Sequence, residues 1–426
     1  MTRQTIRYII LTLLTLSSGV LYITANTIFP IEAMEKKAPK LDIQQEQKAT
    51  LHYLNQLREG AGLTPLRSNK ALTLAAKNHA NYLIKNKKIG HYEHQKDPLF
   101  TGEYGSSRAI YTGYNTPMII ENVSSNNQSY KESIDGLMAA IYHRFGFLDF
   151  HINEIGIGID QSKQNLYQTA FVYDMGNQEI NNLCRDHPKV TNTLSAVNVC
   201  ANKEISIPKR DFFRAINSNK KNSHTVSYPY ANQIDVPPVF YEEFPDPLPK
   251  QSVSGFPISL SFDEFYFKTI KMISFKLYNS KGEEIQETLM YDQKSDPNHR
   301  LKKFEFALFP LQRLAWSSTY SVEAIYQADG IPKTRRWHFT TKTFKEPLYA
   351  VTPNNHHYRL AKGASAIFYF PPYSTDDTLP SLRYPSSLDI QFVDKNTIKI
   401  TAKETFQNRV TLKIGQHQLS LDILNP

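Results

Sequence analysis

The chain has 426 residues, too many for one small core, and at about 100–200 residues per domain it should hold two to four domains. Hydrophobic residues make up 40%, with 25 Tyr, 24 Phe and 2 Trp, a globular composition able to fill several cores. A net charge of +9 suits anionic surfaces such as phospholipid headgroups or acidic wall polymers, but the basic residues form no block or motif, which argues against nucleic acid.

Arg3 and Arg7 precede the mostly apolar stretch Tyr8 to Ala25, the pattern of an export signal, with Ile23-Thr24-Ala25 as cleavage site. The run also approaches the length of a membrane span, so an uncleaved N-terminal anchor is the alternative. Either way the folded part is expected outside the cytoplasm. The two cysteines, Cys184 and Cys200, are sixteen residues apart and are expected to form one disulfide in an exported chain.

After a polar linker, Leu51, Leu54 and Leu57 mark a helix that ends at Gly60-Ala61-Gly62. Asn69 is placed to cap a second helix with Leu72, Ala75, Ala76, His79, Ala80 and Leu83 inward. His91 to Tyr114 reads as one long loop, and Ser133 to Phe145 as a third helix. Glu154 to Ile159 alternates apolar and small residues as a strand packed on helices would, and Gln168 to Tyr173 is a second strand. Residues 177–250 read as an irregular linker that holds the disulfide loop. Beyond it, Ile258–Phe262, Ile273–Tyr278, Tyr320–Ala324 and Trp337–Thr340 read as short strands, with a hairpin turn at Asn279-Ser280-Lys281-Gly282. This spacing predicts a β-sandwich, followed by a smaller β-rich unit that ends in Thr397 to Leu424.

Several short pieces occur in a telling order: Leu54-Asn55-Gln56-Leu57-Arg58, Asn78-His79-Ala80-Asn81-Tyr82-Leu83, Gly90-His91-Tyr92-Glu93, Phe100-Thr101-Gly102, Arg108, Gly113-Tyr114, Glu121-Asn122, Tyr142-His143-Arg144 and Gly156-Ile157-Gly158. In this order they resemble the CAP superfamily of cysteine-rich secretory and pathogenesis-related proteins, in its bacterial extracellular branch. The resemblance implies an α-β-α sandwich with a central cleft holding two histidines and two acidic residues. His91, Glu121 and His143 match three of these positions. The fourth has no clear counterpart, since Asp135 and Glu132 are poorly placed. The run Tyr241-Glu242-Glu243-Phe244-Pro245-Asp246-Pro247 resembles the junction to an Ig-like domain in bacterial CAP proteins.

The expected fold class is therefore α+β, a CAP-type sandwich followed by an Ig-like β-sandwich and a small C-terminal β-unit. The expected division is a signal peptide or anchor at 1–30, a polar linker at 31–47, the CAP-like domain at 48–176, the irregular linker at 177–250, the Ig-like sandwich at 251–345 and the β-rich unit at 346–426. Imidazoles oriented by a carboxylate are common zinc ligands, so His91 and His143 with Glu121 are candidates for binding zinc or for general acid–base catalysis. Alternatively, His91 and Glu121 simply tie loop to helix. Three functions stay open: a non-enzymatic extracytoplasmic protein binding a lipid, metal or cell-wall ligand; a secreted metal-assisted hydrolase; and a structural envelope component. No GxSxG, HExxH, P-loop or dinucleotide motif is present.

Overall fold

The computed structural model describes residues 38–186, 194–374, 376–380, 382, 384–403 and 409–424. The apolar N-terminal stretch, and with it the choice between signal and anchor, lies outside the described residues. Among the described residues no helix is long and apolar enough to cross a membrane.

Helix α1 (Ile43–Gly60) starts where the Asp42 side chain accepts hydrogen bonds from the amides of Gln44 and Gln45. Helix α2 (Lys70–Asn86) is capped by Asn69 and ends at Lys87, in the left-handed region. Between the helices runs a sheet of β1 (Arg67–Ser68), β2 (Ile120–Ser125), β3 (Glu154–Gln161) and β4 (Thr169–Gly176), in the order β1–β3–β4–β2. Only the β1–β3 pair is parallel.

Alternation along the strands divides side chains between two faces. On one face, Val123, Ala170 and Val172 meet Ala76, Ala80 and Leu83 of α2. Gly156 and Gly158 let the helix approach here: a Cβ on either would lie 2.0 or 2.1 Å from the backbone of Leu72 or Ala76. The expected long loop departs from the structure here, because it contains helix α3 (Gly105–Tyr111), whose Ala109 packs with Leu72 and Tyr114. On the other face, Ile155, Ile157, Ile159, Phe171 and Tyr173 cluster with Leu54 and Leu57 of α1 and with Ile134, Leu137 and Met138. The unit is thus three layers, helices on both faces of one sheet.

The expected third helix is two. Helix α4 (Tyr130–Ala139) and helix α5 (Ile141–Phe147) are separated by Ala140, whose ψ of 114° is extended. Arg144 spans this break fully buried. Its Nε donates to the Met138 carbonyl and its Nη1 to the Pro257 carbonyl, each at 2.6 Å. The guanidinium also lies against the rings of Tyr228 and Phe256.

The stretch 177–250, expected as irregular linker, carries helices α6 (Gln178–Asp186) and α7 (Lys209–Ile216) and several strands. Cys184 and Cys200 form the expected disulfide and sit in a small apolar cluster with Ile180, Ile207, Ala215 and Ile216. Replacing both cysteines with serine is expected to cost about 3 kcal/mol, the loop-closure value for this separation. Limited proteolysis should then cut first within 178–216 while the α-β-α unit stays intact. Cutting at the same rate as in the parent chain would refute this.

Thr225–Tyr228 joins Ile258–Phe262, Glu305–Pro310 and Thr288–Tyr291 in one four-stranded sheet. Gln233–Val236 joins Ile331–Thr341, Thr319–Ala328 and Ile270–Tyr278 in another. The turn at Asn279–Gly282 forms, with Gly282 at φ 80°, and closes a short antiparallel pairing of Tyr278 with Glu284 before the chain crosses to the opposite sheet at Thr288–Tyr291. Phe262 and Phe306 of one sheet share a core with Phe275, Val322 and Trp337 of the other, and this core is continuous with that under α1 and α4. The C-terminal residues form sheets of four and three strands over a separate core that includes Phe368, Ile398, Ile400 and Leu421.

Where the three-layer unit meets the two-sheet unit, Lys302 Nζ donates to Asp149 at 3.0 Å. Burial pushes the neighbouring Glu305 carboxyl up to about 7, and Lys302 offsets this only in part. A carboxyl with a raised folded-state pKa favours the fold while it is protonated, so this contribution is full below about pH 4.5 and fades as pH rises toward about 7. Glu305→Gln should therefore gain stability relative to the parent between pH 5 and pH 8, by up to about 3 kcal/mol. Melting midpoints across that range test this; a difference independent of pH would contradict it.

Candidate functional site

The site is built where the loop after α2, strand β2 and helix α5 converge. His91 Nδ1 lies 2.9 Å from Glu121 Oε1 on β2. The second oxygen of Glu121 accepts from Arg108 Nη2 of α3 at 2.5 Å. Arg108 is fully buried and also donates to the carbonyls of His91, Gly102 and Glu103, so one guanidinium shapes the loop and holds the carboxylate. Burial alone would raise the Glu121 carboxyl, but the His91 hydrogen bond and the Arg108 charge hold it below the ordinary range. It is therefore ionised and accepts only, which places the imidazole proton on His91 Nδ1.

Asp174, the cross-strand partner of Glu121, lies fully buried beside it. Burial, reinforced by the Glu121 charge, pushes its carboxyl well above the ordinary range and favours the neutral acid. Beneath His91, the buried His79 bridges Glu93 Oε1 and the Gly90 carbonyl, both at 3.0 Å, so it is a structural histidine. Glu93 Oε2 in turn accepts from the Thr101 amide at 2.7 Å. His94 is exposed.

His143, on α5, faces His91 across the cleft: the two rings are nearly parallel with centroids 6.2 Å apart. Its Nδ1 lies 3.1 Å from Glu243 Oε2, a carboxylate 100 residues further along the chain. Glu243 also accepts from the amides of Ile141 and Tyr142, so it caps α5, whose own N-cap, Ala140, has no side-chain acceptor. Burial raises the Glu243 carboxyl and the bond to His143 opposes it. From below, the Asn122 side chain donates to the His143 carbonyl at 2.8 Å.

The structure thus brings together His91, Glu121 and His143, and supplies a second acidic partner that motif matching missed. Asp135 and Glu132 are elsewhere: Asp135 bonds Tyr53 and Lys131, and Glu132 accepts from the Gln128 amide. Glu243 was visible in the sequence only as part of the Tyr241–Pro247 junction. No local spacing ties it to His143.

Residues 51–175 match the family model of CAP, the cysteine-rich secretory protein family. This stretch is a CAP domain. Among solved structures, an outer surface protein of Borrelia burgdorferi aligns with 19% identity, covering 33% of this chain and 97% of that one, at a TM-score of 0.28. An extracellular SCP-domain protein from Bacillus anthracis aligns with 14% identity, covering 32% and 44%, at 0.27. A cysteine-rich secretory protein from Staphylococcus aureus aligns with 19% identity, covering 32% and 41%, at 0.24. The chain therefore spans less than half the length of the last two. No curated protein matches it.

Chemically, the CAP cleft presents two imidazoles, each held through Nδ1 by a carboxylate. Among the described residues neither Nε2 atom has a hydrogen-bond partner, which leaves both open to hydrogen-bond or to ligate. Among the described residues no group of three or more His, Cys, Asp or Glu side chains is arranged to hold a metal ion. Catalytic zinc sites draw on three protein ligands, so a resident zinc does not fit this donor set.

Proposed function

We propose that this chain is an extracytoplasmic binding protein whose CAP cleft holds its ligand, a lipid or cell-wall component, between His91 and His143. The observation that carries this reading is the paired orientation of the two rings. Glu121 and Glu243 are almost wholly buried, while His91 is 41% and His143 15% exposed. Fixed carboxylates behind one half-open and one largely covered ring form a preorganised two-point contact, with ordering costs met on folding rather than on binding. The disulfide supports a location outside the cytoplasm. The two-sheet unit and the C-terminal unit then serve as an Ig-like sandwich and a further spacer, with the junction residue Glu243 completing the cleft.

Native mass spectrometry of the exported protein beside its His91→Ala/His143→Ala variant tests this. A bound mass should be present in the parent and absent from the variant. A bare mass in both would leave the cleft as a structural element, and turnover of an ester or peptide lost in His91→Ala would make the protein a hydrolase.

A further inference from the structure

The end of α2 and the loop that follows it carry a surface that the cleft does not use. Ile89 and Leu99 leave 75% and 54% of their surface open to solvent. Two tethers hold these segments together. The Asn86 side chain donates to the Pro98 carbonyl at 3.0 Å, and Lys88 pairs with Asp97, which also accepts from the Tyr82 hydroxyl. Within this frame Leu99 takes a φ of 66°, in the left-handed region that bulky side chains rarely enter. Such conformations persist only where the surroundings enforce them, and they concentrate at functional sites. Here the enforced turn keeps a leucine in water instead of burying it.

Cations surround that leucine. Lys85, Lys87 and, from the turn between β3 and β4, Lys163 line one depression with it. All three lysines are exposed, and among the described residues none of them forms an ion pair. Against them stands one lining carboxylate, the half-buried Asp160. An occupant must therefore present negative charge and an apolar phase side by side. A soluble polyanion offers only the first, and an uncharged apolar peptide only the second. An anionic bilayer offers both, and peripheral attachment gains from buried apolar area and from attraction of basic residues to acidic lipids together. The net charge of +9 acts in the same direction. We infer that this end of the CAP domain is a docking surface for an anionic lipid bilayer, with Leu99 and Ile89 entering the interface and Lys85, Lys87 and Lys163 meeting the headgroups.

The inference does not depend on the CAP cleft, and one experiment separates them. Cys184 and Cys200 are joined to each other, so Leu99→Cys adds the one free thiol. The full exported chain, carrying an environment-sensitive fluorophore there, is mixed with vesicles of phosphatidylcholine alone or with equal parts of phosphatidylglycerol. Emission should move to the blue with the acidic vesicles, stay in place with the neutral ones, and return in high salt. Ile89→Cys should report the same. Ile331→Cys, at a 57% exposed position on the two-sheet unit, should not shift. Lys85→Gln/Lys87→Gln/Lys163→Gln should raise the lipid needed for half the shift on the order of a hundredfold, from roughly fivefold per basic residue at an acidic surface. Its melting midpoint should match that of the parent. His91→Ala/His143→Ala should dock as the parent does. Vesicle binding with no shift at position 99 would assign attachment to another part of the chain. An equal shift on neutral vesicles, or an undiminished one in the glutamine variant, would remove the role of charge, and loss in the histidine variant would place the contact in the cleft. Each of these would overturn the inference. Capture of soluble polyphosphate without any response to vesicles would likewise overturn it and make the lysines a polyanion contact.

Discussion

Replacing Gly158 with alanine is expected to keep the CAP domain from reaching its native packing, at a cost above about 4 kcal/mol, the range reserved for gross steric or core defects. Its Cβ would stand 2.1 Å from the Ala76 carbonyl carbon and oxygen, and these are backbone atoms of α2 that no rotamer change can move. Relief requires the helix to lift from β3 and β4, which would open the contacts of Ala76 and Ala80 with Ala170 and Val172. Gly136→Ala is the matched control, since a Cβ there meets nothing within 4 Å and the residue lies in α4. That substitution should be neutral or stabilising by about 1 kcal/mol, from helix propensity alone. Soluble yield and the thermal transition measure both; similar behaviour of the two variants would show that α2 does not seat on the sheet as described.

Arg108→Met should be the next most damaging change, at about 3–5 kcal/mol, because it strips the counter-charge from buried carboxylates while roughly preserving side-chain length. Glu121 would lose its 2.5 Å partner, and the carbonyls of His91, Gly102 and Glu103 would lose their donor. Arg108→Lys should recover only part of the loss, since an ammonium cannot reproduce the planar fork that reaches carbonyls and carboxylate together. Chemical denaturation gives the stabilities, and the His91 ring resonance reports whether the loop stays ordered. A methionine variant as stable as the parent would mean that Glu121 takes up a proton and needs no cation.

The elements that were legible in the sequence owe their form to neighbours within a few residues. Leu51, Leu54 and Leu57 repeat at the helical period, and Asn69 caps its own helix. Alternation from Ile155 to Ile159 already separated a bulky face from a glycine face. The illegible ones depend on distant groups. Residues 133–145 carry an unbroken helical pattern, yet the chain breaks at Ala140, where Arg144 takes the Met138 carbonyl and Glu243 caps the new start. The polar, proline-rich texture of 177–250 concealed strands such as Thr225–Tyr228, whose pairing residues Ser259 to Phe262 lie over thirty positions later.

The candidate site shows the same division. The chain's own order of short motifs singled out His91, Glu121 and His143, because the loop, strand and helix that carry them belong to one domain with a recurring local pattern. The pairing of Cys184 with Cys200 also followed from the sequence, which holds just these two cysteines, sixteen residues apart. Tertiary structure alone decided that the second histidine is oriented by Glu243. That carboxylate reaches His143 because the two-sheet unit docks on the CAP domain through a shared apolar core and brings the junction across the start of α5. Burial within that packed junction, and not spacing along the chain, turns an ordinary glutamate into part of the cleft.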